Sequence, residues 1–241
     1  MIQENRKPRK AARIILLSIV CLMLILIGGF LLYTADYYRS DKTAENIRAD
    51  FITGGRLEEK DNITIIYPKV KGTSGLIFYP GGKVEGNAYI PLLAKLAEEG
   101  ITCVLVHMPF HLAVFGVNRA DSVYDLVPEV KNWFLSGHSL GGAMASSYAG
   151  KREEDLKGLI LLAAYPVNDA RLPTLTIYGS NDQVLNQEKL TLAKNKVEIT
   201  GGNHGYFGNY GEQKGDGKAL ITREEQQNQC VEFIMKFINQ S

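Results

Sequence analysis

A serine inside a glycine-rich pentapeptide is the first feature of this sequence whose residue types could do chemistry. Ser139 lies in GHSLG at 137–141, a match to the pattern G-x-S-x-G. A serine hydroxyl is a weak nucleophile, and it becomes useful where a tight turn between a strand and a helix exposes its oxygen to a base. Such a turn needs small neighbours, which the two glycines provide. The sequence predicts a short buried strand at 133–135 before the turn and a closely packed helix at 143–149 after it.

Four short motifs together resemble the α/β-hydrolase family. They are Tyr-Pro-Gly-Gly at 79–82, Gly-His-Ser-Leu-Gly-Gly at 137–142, Gly-Ser-Asn-Asp at 179–182 and Gly-Asn-His at 202–204. The resemblance begins at Leu76 and continues to the C-terminus, with the motifs in the family's order. It implies an α/β fold with a mostly parallel central sheet flanked by helices. It also implies a small, lidless serine hydrolase of the esterase type that needs neither a cofactor nor a metal.

Asp182 and His204 are the candidates for the acid and the base that would activate Ser139. Asp182 follows a strand predicted at 172–178, and parallel strands end at one edge of a sheet, so it should lie at the edge that presents Ser139. Of the four histidines, only His204 follows both residues in the chain. The resemblance implies this order and these roles. Asp169 is the alternative acid, and an ordinary surface turn is the alternative for Asp182 and for His204.

The turn Pro-Gly-Gly-Lys at 80–83 is the candidate for an oxyanion hole. Its glycines permit a tight turn that can point backbone N–H groups into a cavity. By resemblance, Gly82 and Leu140 would donate their N–H groups to the charge that develops on a carbonyl oxygen. The family often has His-Gly here, which this chain lacks, so the donor could be Gly82 or Lys83. An ordinary connection between a strand and a helix is the alternative.

Four residues are candidates for contact with a substrate: Lys83, Phe110, His138 and Phe207. Phe110 belongs to an apolar loop at 108–115, which would either line an acyl pocket or pack under the next helix. Phe207 belongs to a glycine-rich stretch at 206–217 that could form a rim around the substrate. Asp216, between two glycines in that stretch, is expected to form a tight turn rather than a metal site.

Hydrophobic patterning supplies the elements that must position these residues. Runs of apolar and β-branched residues predict strands at 63–67, 76–79, 101–107, 133–135, 156–164, 172–178 and 197–199. Helical spacing predicts helices at 88–99, 118–130, 143–149 and 222–240. Only a short loop fits between the strands at 156–164 and 172–178, where many relatives insert a lid. We therefore expect an open site suited to small or exposed acyl groups.

The first 55 residues carry the features of a membrane segment. Five basic residues lie between Arg6 and Arg13, and the following run, 14–33, is apolar and uncharged. Twenty helical residues span about 30 Å, the thickness of a bilayer's hydrocarbon core. A cleaved signal peptide is the alternative, although its apolar core is usually only about 7–15 residues long. We expect a cytoplasmic basic segment at 1–13, a transmembrane helix at 14–33, a juxtamembrane helix or tether at 34–55 and a hydrolase domain outside the cell membrane at 56–241.

The composition is compatible with a serine hydrolase and excludes few other classes of protein. The formal net charge of +1 gives no indication of a nucleic-acid partner, and the three cysteines are too widely spaced to suggest disulfides or a metal site. We expect a membrane-anchored serine hydrolase that cleaves small-molecule or cell-envelope esters. An acyltransferase with an envelope acceptor and a non-catalytic, membrane-tethered binding protein are the alternatives. The sequence does not indicate an oligomeric state.

Overall fold

The computed structural model describes residues 7–241. The first six residues, which belong to the basic segment expected at 1–13, lie outside the described residues. The chain divides into two units, Met1–Asp36 and Tyr37–Ser241.

Within the described residues of the first unit, the chain forms one long helix, α1 (Lys7–Ala35). Within it, the stretch Lys10–Ala35 is apolar and 26 residues long. At 1.5 Å per residue it measures about 39 Å, enough to cross a bilayer with some tilt. Its length, composition and position near the N-terminus suit either a membrane anchor or a signal sequence.

An eight-stranded sheet forms the centre of the second unit. Its strands are β1 (Leu57–Lys60), β2 (Ile63–Ile66), β3 (Ser74–Tyr79), β4 (Thr102–Val106), β5 (Asn132–His138), β6 (Gly158–Leu162), β7 (Thr174–Gly179) and β8 (Lys196–Ile199). They lie in the order β1-β2-β4-β3-β5-β6-β7-β8. β2 is antiparallel to both of its neighbours, and every other pair is parallel. The loops that follow β3, β5, β7 and β8 therefore meet at one edge.

Helices cover both faces of this sheet, which confirms the predicted fold class. They are α2 (Lys42–Thr53), α3 (Ile90–Glu98), α4 (Leu140–Ala149) and α5 (Arg223–Ile238). α4 packs on one face with the connection at 108–130, while α3 and α5 pack on the other. α5 begins where Thr222 and Glu225 form a capping box that satisfies its first N–H groups.

The segment that precedes β1 is part of the second unit. Asp41 caps α2 by accepting a hydrogen bond from Ala44 N at 2.9 Å, and Ala44 is fully buried. α2 packs against α3 and β1. Residues 37–55 of the stretch expected to be a juxtamembrane helix or tether therefore belong to the compact unit.

The structure differs from the expected helix at 118–130, where it has only a short 3₁₀ turn, Arg119–Ser122, followed by further turns. The buried hydroxyl of Tyr79 donates to Val117 O at 2.7 Å and accepts from Ala120 N at 3.0 Å. It thereby takes up Val117 O, which would otherwise accept the first hydrogen bond of such a helix. Pro128 also disfavours helical conformation in the residue before it.

Candidate active site

The turn between β5 and α4 holds Ser139 in a backbone conformation that few residues with a side chain adopt. Its φ and ψ are 52° and −120°, in a region that costs a residue other than glycine about 1–3 kcal/mol. Ser139 N donates to Leu162 O at 2.9 Å, and Ser139 O accepts from Ala143 N at 3.0 Å. Strain at the junction of a strand and a helix is typical of a turn that exposes a nucleophile.

Glycines around Ser139 let backbone segments approach closely. A Cβ on Gly141 would lie 2.2 Å from both Tyr79 O and Pro80 O. A Cβ on Gly137 would lie 2.6 Å from the carbonyl carbon and oxygen of Gly141. Neither position can hold a side chain unless the backbone moves. The serine turn therefore packs directly against the loop that follows β3.

His204 and Asp182 form a buried pair at the edge of the sheet where Ser139 lies. His204 Nδ1 is 2.8 Å from Asp182 Oδ2, and the backbone N–H groups of Val184 and Leu185 donate to Asp182 Oδ1 at 2.9 and 2.8 Å. An ionised carboxylate only accepts, so Nδ1 of the neutral ring carries the proton and Nε2 has a lone pair. Nε2 is buried and makes no hydrogen bond to any of residues 7–241.

Ser139 and His204 line one cleft of about 310 Å³. The rest of its lining is mainly small or apolar: Leu140, Ala143, Ala163, Ala164, Tyr165, Val184, Leu185 and Asn186. The hydrogen bond between a nucleophile and its base is often long in an unliganded site and shortens when a substrate binds. Asp169, the alternative acid, lines a separate cavity with Pro166 and Asn195.

Two side chains hold the loop that carries His204, and the sequence analysis identified neither of them as a support for this loop. The Asp216 carboxylate accepts from His204 N at 3.2 Å and from Gly205 N at 2.8 Å. Gln226, fully buried on α5, accepts from Asn203 N at 2.9 Å and donates to Asn203 O at 2.8 Å. Asp216 thus serves in a turn, and both residues fix the backbone on either side of the base.

The hydrogen bonds of the loop after β3 separate the two candidate oxyanion donors. Lys83 N donates to His111 O at 2.8 Å, whereas Gly82 N donates no hydrogen bond within the described chain. Leu140 is the first residue of α4, so its N–H has no partner within the helix. A Cβ on Gly82 would lie 3.3 Å from the Cβ of Leu140. The two available N–H groups therefore belong to neighbouring residues beside Ser139.

The chain just before α2 buttresses this loop. Tyr38 N donates to Lys83 O at 2.7 Å, and Tyr38 O accepts from Glu85 N at 2.9 Å. The Glu85 carboxylate in turn accepts from Ser40 N at 2.9 Å. On the other side, Asp41 N donates to Asn209 O at 2.8 Å. Residues 38–41 therefore join the loop after β3 to the segment that follows His204.

The structure brings none of the four candidate substrate contacts into the cleft lining. His138 and Phe207 are buried, with 1% and 0% of their surface exposed. Phe110 is 48% exposed and packs edge-on against Phe115 on the loop at 108–115. Lys83 has a left-handed backbone, φ 58°, and is not part of the cleft lining. The residues that do line the cleft include Tyr165, which follows β6, and 184–186, which follow β7. Their position after predicted strands was the sequence signal that could have identified them.

Burial lowers the pKa of each histidine outside the Asp182–His204 pair, which favours its neutral form. Burial and the nearby His204 hold the pKa of His138 well below its usual range. Burial also lowers the pKa of His107 and of His111. Among residues 7–241, no three His, Cys, Asp or Glu side chains are grouped so that they could hold a metal ion.

Sequence comparison identifies the class of protein that this fold and site define. The model of the Alpha/beta hydrolase family matches residues 75–228. This match spans more than half of the chain, and the chain belongs to that family. The proline iminopeptidase of Thermoplasma volcanium is 36% identical over 93 residues, but the match spans only 34% of this chain and 31% of that enzyme.

Solved structures share the fold at low sequence identity. Est1E from Butyrivibrio proteoclasticus matches 76% of this chain and 98% of its own, with a TM-score of 0.56 and 16% identity. A bacterial membrane phospholipase A matches 94% of this chain and 98% of its own, with a TM-score of 0.56 and 14% identity. At these identities the likeness is one of fold.

Proposed function

We propose that this chain is a membrane-anchored serine hydrolase that cleaves ester-type acyl bonds. One observation carries the proposal. His204 lines the same cleft as the strained Ser139, and its Nδ1 is held by buried Asp182 while its buried Nε2 makes no hydrogen bond in the described residues. A neutral imidazole in this tautomer is a base ready to take the proton of a serine hydroxyl.

The reaction follows from these positions. As Ser139 Oγ attacks the ester carbonyl carbon, its proton passes to His204 Nε2, and the N–H groups of Gly82 and Leu140 donate to the developing oxyanion. His204 then gives the proton to the leaving alkoxide, which leaves an acyl group on Ser139. Water then attacks the acyl carbon as it loses a proton to His204, and the bond from that carbon to Ser139 Oγ breaks, so that Ser139 takes the proton back from His204 and the acid is released. Asp182 stabilises the imidazolium in both steps.

The cleft lining favours an ester over a peptide with a free amino terminus. Proline iminopeptidase, to which part of the chain is similar, makes an aminopeptidase the second candidate. Such an enzyme must bind the ammonium group of its substrate, and a buried charge of this kind needs a carboxylate partner. The lining of the cleft contains no aspartate or glutamate.

The size of the cleft favours short acyl groups. A volume of about 310 Å³ is at the low end of the range for small-molecule sites, roughly 300–1,000 Å³. The connection between β6 and β7 is a loop of 11 residues, 163–173, with no lid on it. Transfer of the acyl group to an envelope acceptor would use the same site and differs only in the nucleophile of the second step.

The proposal includes attachment to the cell membrane through α1. The basic residues before the apolar run favour a cytoplasmic N-terminus and a hydrolase domain on the outer side. We expect the mature protein to keep its first residues and to stay in the membrane fraction after alkaline carbonate washing. Release of a protein that begins after α1 would instead identify a signal sequence.

Hydrolysis of matched substrates by the full chain in detergent tests the reaction and its specificity. The substrates are p-nitrophenyl esters from acetate to palmitate and the p-nitroanilides of proline and alanine. We expect kcat/KM to be highest for acetate to butyrate and to fall about 10⁵-fold or more in Ser139→Ala. A preference for the prolyl anilide would favour the peptidase, and a preference for palmitate would contradict the short-acyl specificity.

A further inference from the structure

A buried chain of hydrogen bonds joins the three loops of the candidate site. Gly81 N donates to Tyr89 Oη at 3.1 Å, Tyr89 Oη lies 2.8 Å from His138 Nδ1, and His138 Nε2 lies 3.0 Å from His204 O. Tyr89 is fully buried and His138 is 1% exposed. Gly81, Tyr89 and His138 do not line the cleft, and of the four residues joined by these bonds only His204 does. The Tyr89–His138 pair therefore lies behind the cleft lining.

With His138 neutral, one arrangement of protons satisfies every member. A carbonyl oxygen only accepts, so His138 Nε2 must carry the hydrogen that it shares with His204 O. Nδ1 of the neutral ring is then an acceptor, and the Tyr89 hydroxyl gives its single hydrogen to it. The oxygen of Tyr89 keeps a lone pair for Gly81 N–H. Each group is used once within these three bonds, and Tyr210 is a further hydrogen-bonding side chain at the Tyr89 hydroxyl.

Three members of this series of hydrogen bonds lie at, or next to, a residue with a proposed chemical role. Gly81 precedes Gly82, His138 precedes Ser139, and the third contact is the backbone of the base itself. A Cβ on Gly81 would lie 2.7 Å from both His138 Nδ1 and Tyr89 Oη. The loop after β3 therefore closes directly onto the Tyr89–His138 pair.

We propose that Tyr89 and His138 form a positioning relay. Their hydrogen bonds fix the loop after β3, the turn at Ser139 and the base His204 in position relative to one another. The inference rests on the proposed hydrolase function. Alignment of the base and the oxyanion donors matters most when charge develops on the substrate, so loss of the relay lowers kcat and leaves KM nearly unchanged. A role in packing alone would lower the free energy of unfolding without this kinetic signature.

Variants can remove one link at a time. Tyr89→Phe deletes the hydroxyl between Gly81 and His138. His138→Asn retains an acceptor near the position of Nδ1, and His138→Gln retains a donor near the position of Nε2. Tyr148→Phe is the matched control, because Tyr148 is also buried but its hydroxyl donates to Asp121 at 2.8 Å, outside the site.

The kinetic test uses full-length protein in detergent and p-nitrophenyl acetate. We expect kcat to fall about 10- to 100-fold in Tyr89→Phe and in both His138 variants, which corresponds to about 1.4–2.7 kcal/mol of transition-state stabilisation, with KM changed less than threefold. Tyr89→Phe combined with His138→Asn should be little worse than either alone, because both break one relay. Tyr148→Phe should keep kcat within threefold. Folded Tyr89→Phe with a wild-type kcat would overturn the proposal.

A second measurement is independent of activity. In protein labelled with ¹⁵N-histidine, we expect NMR to show His138 as the Nε2–H tautomer at neutral pH, with a slowly exchanging ring proton that persists in Ser139→Ala. Exchange should accelerate in Tyr89→Phe. An Nδ1–H tautomer or a doubly protonated ring would overturn the relay even if the enzyme is active. Conversely, a wild-type protein that hydrolyses no ester but shows the expected tautomer would refute the proposed function and retain the hydrogen-bond chain.

Discussion

Strain at Ser139 gives a prediction in which stability and function oppose each other. A residue with a Cβ at φ 52° and ψ −120° loses about 1–3 kcal/mol to strain. Ser139→Ala keeps that strain, whereas Ser139→Gly releases it but loses about 0.5–1 kcal/mol through the greater freedom of the unfolded chain. The side chain of Ser139 makes no capping bond to α4, so neither change removes a cap. We expect Ser139→Gly to be more stable than Ser139→Ala by about 1 kcal/mol.

Ser147 provides the control for this comparison. It lies within α4, where glycine is less favourable than alanine by about 1 kcal/mol. The free energies of unfolding can be measured by urea denaturation, followed by fluorescence of Trp133, the single tryptophan, which is buried on β5. The order of the glycine and alanine variants should reverse between positions 139 and 147. The same order at both positions would refute strain at Ser139.

Two further predictions concern the packing and the pH dependence of the site. Gly141→Ala should lower the free energy of unfolding by about 3 kcal/mol or more, or prevent folding, because its Cβ would meet two backbone oxygens. Gly211→Ala, whose Cβ would meet no atom within 4 Å, should change it by less than about 0.5 kcal/mol in the same assay. The second prediction follows from His138, which faces Tyr89 and His204 and has a pKa well below its usual range because it is buried. As pH falls below about 6.5, the unfolded chain gains a proton at this residue that the folded chain excludes, so stability falls by up to about 1.4 kcal/mol per pH unit until the folded pKa is reached. Denaturation at pH 7, 6 and 5 should show a shallower loss in His138→Asn, and equal slopes would contradict a buried neutral His138.

The sheet was predictable where local sequence alone determines a strand. β4 and β6 are continuous apolar runs, as expected for parallel strands covered on both faces. β1 escaped prediction because Leu57 is its only buried residue and the other three are exposed charged residues. Such charges protect an edge strand from pairing with another chain, but they conceal it from a search for hydrophobic runs.

The candidate site was predictable in its main residues and not in their support. Ser139, Asp182 and His204 each follow a predicted strand, so topology alone gathers them at one edge. The partner of His138, Tyr89, is 49 residues away in the chain. That contact depends on how the 3₁₀ turn before α3, Gly86–Tyr89, packs against the end of β5. Sequence therefore favoured a substrate contact for His138, where the structure has a buried hydrogen-bonded ring.

The pairing of residues 38–41 with the loop after β3 was hidden for the same reason. Tyr38 and Glu85 contact each other through backbone atoms, which leave no trace in side-chain pattern. A polar stretch next to an apolar helix is locally indistinguishable from a flexible connection. Only the tertiary structure identifies it as a support for the candidate oxyanion loop.

Reaction with a fluorophosphonate probe tests the central claim, an activated Ser139, most directly. The full-length protein in detergent would be treated with the probe, digested and mapped by mass spectrometry, beside Ser139→Ala and His204→Ala. The account predicts one adduct on Ser139, none in Ser139→Ala, and reaction at least about 10³-fold slower in His204→Ala. An adduct on another serine, or no adduct on a wild-type protein whose Trp133 fluorescence shows it to be folded, would contradict it.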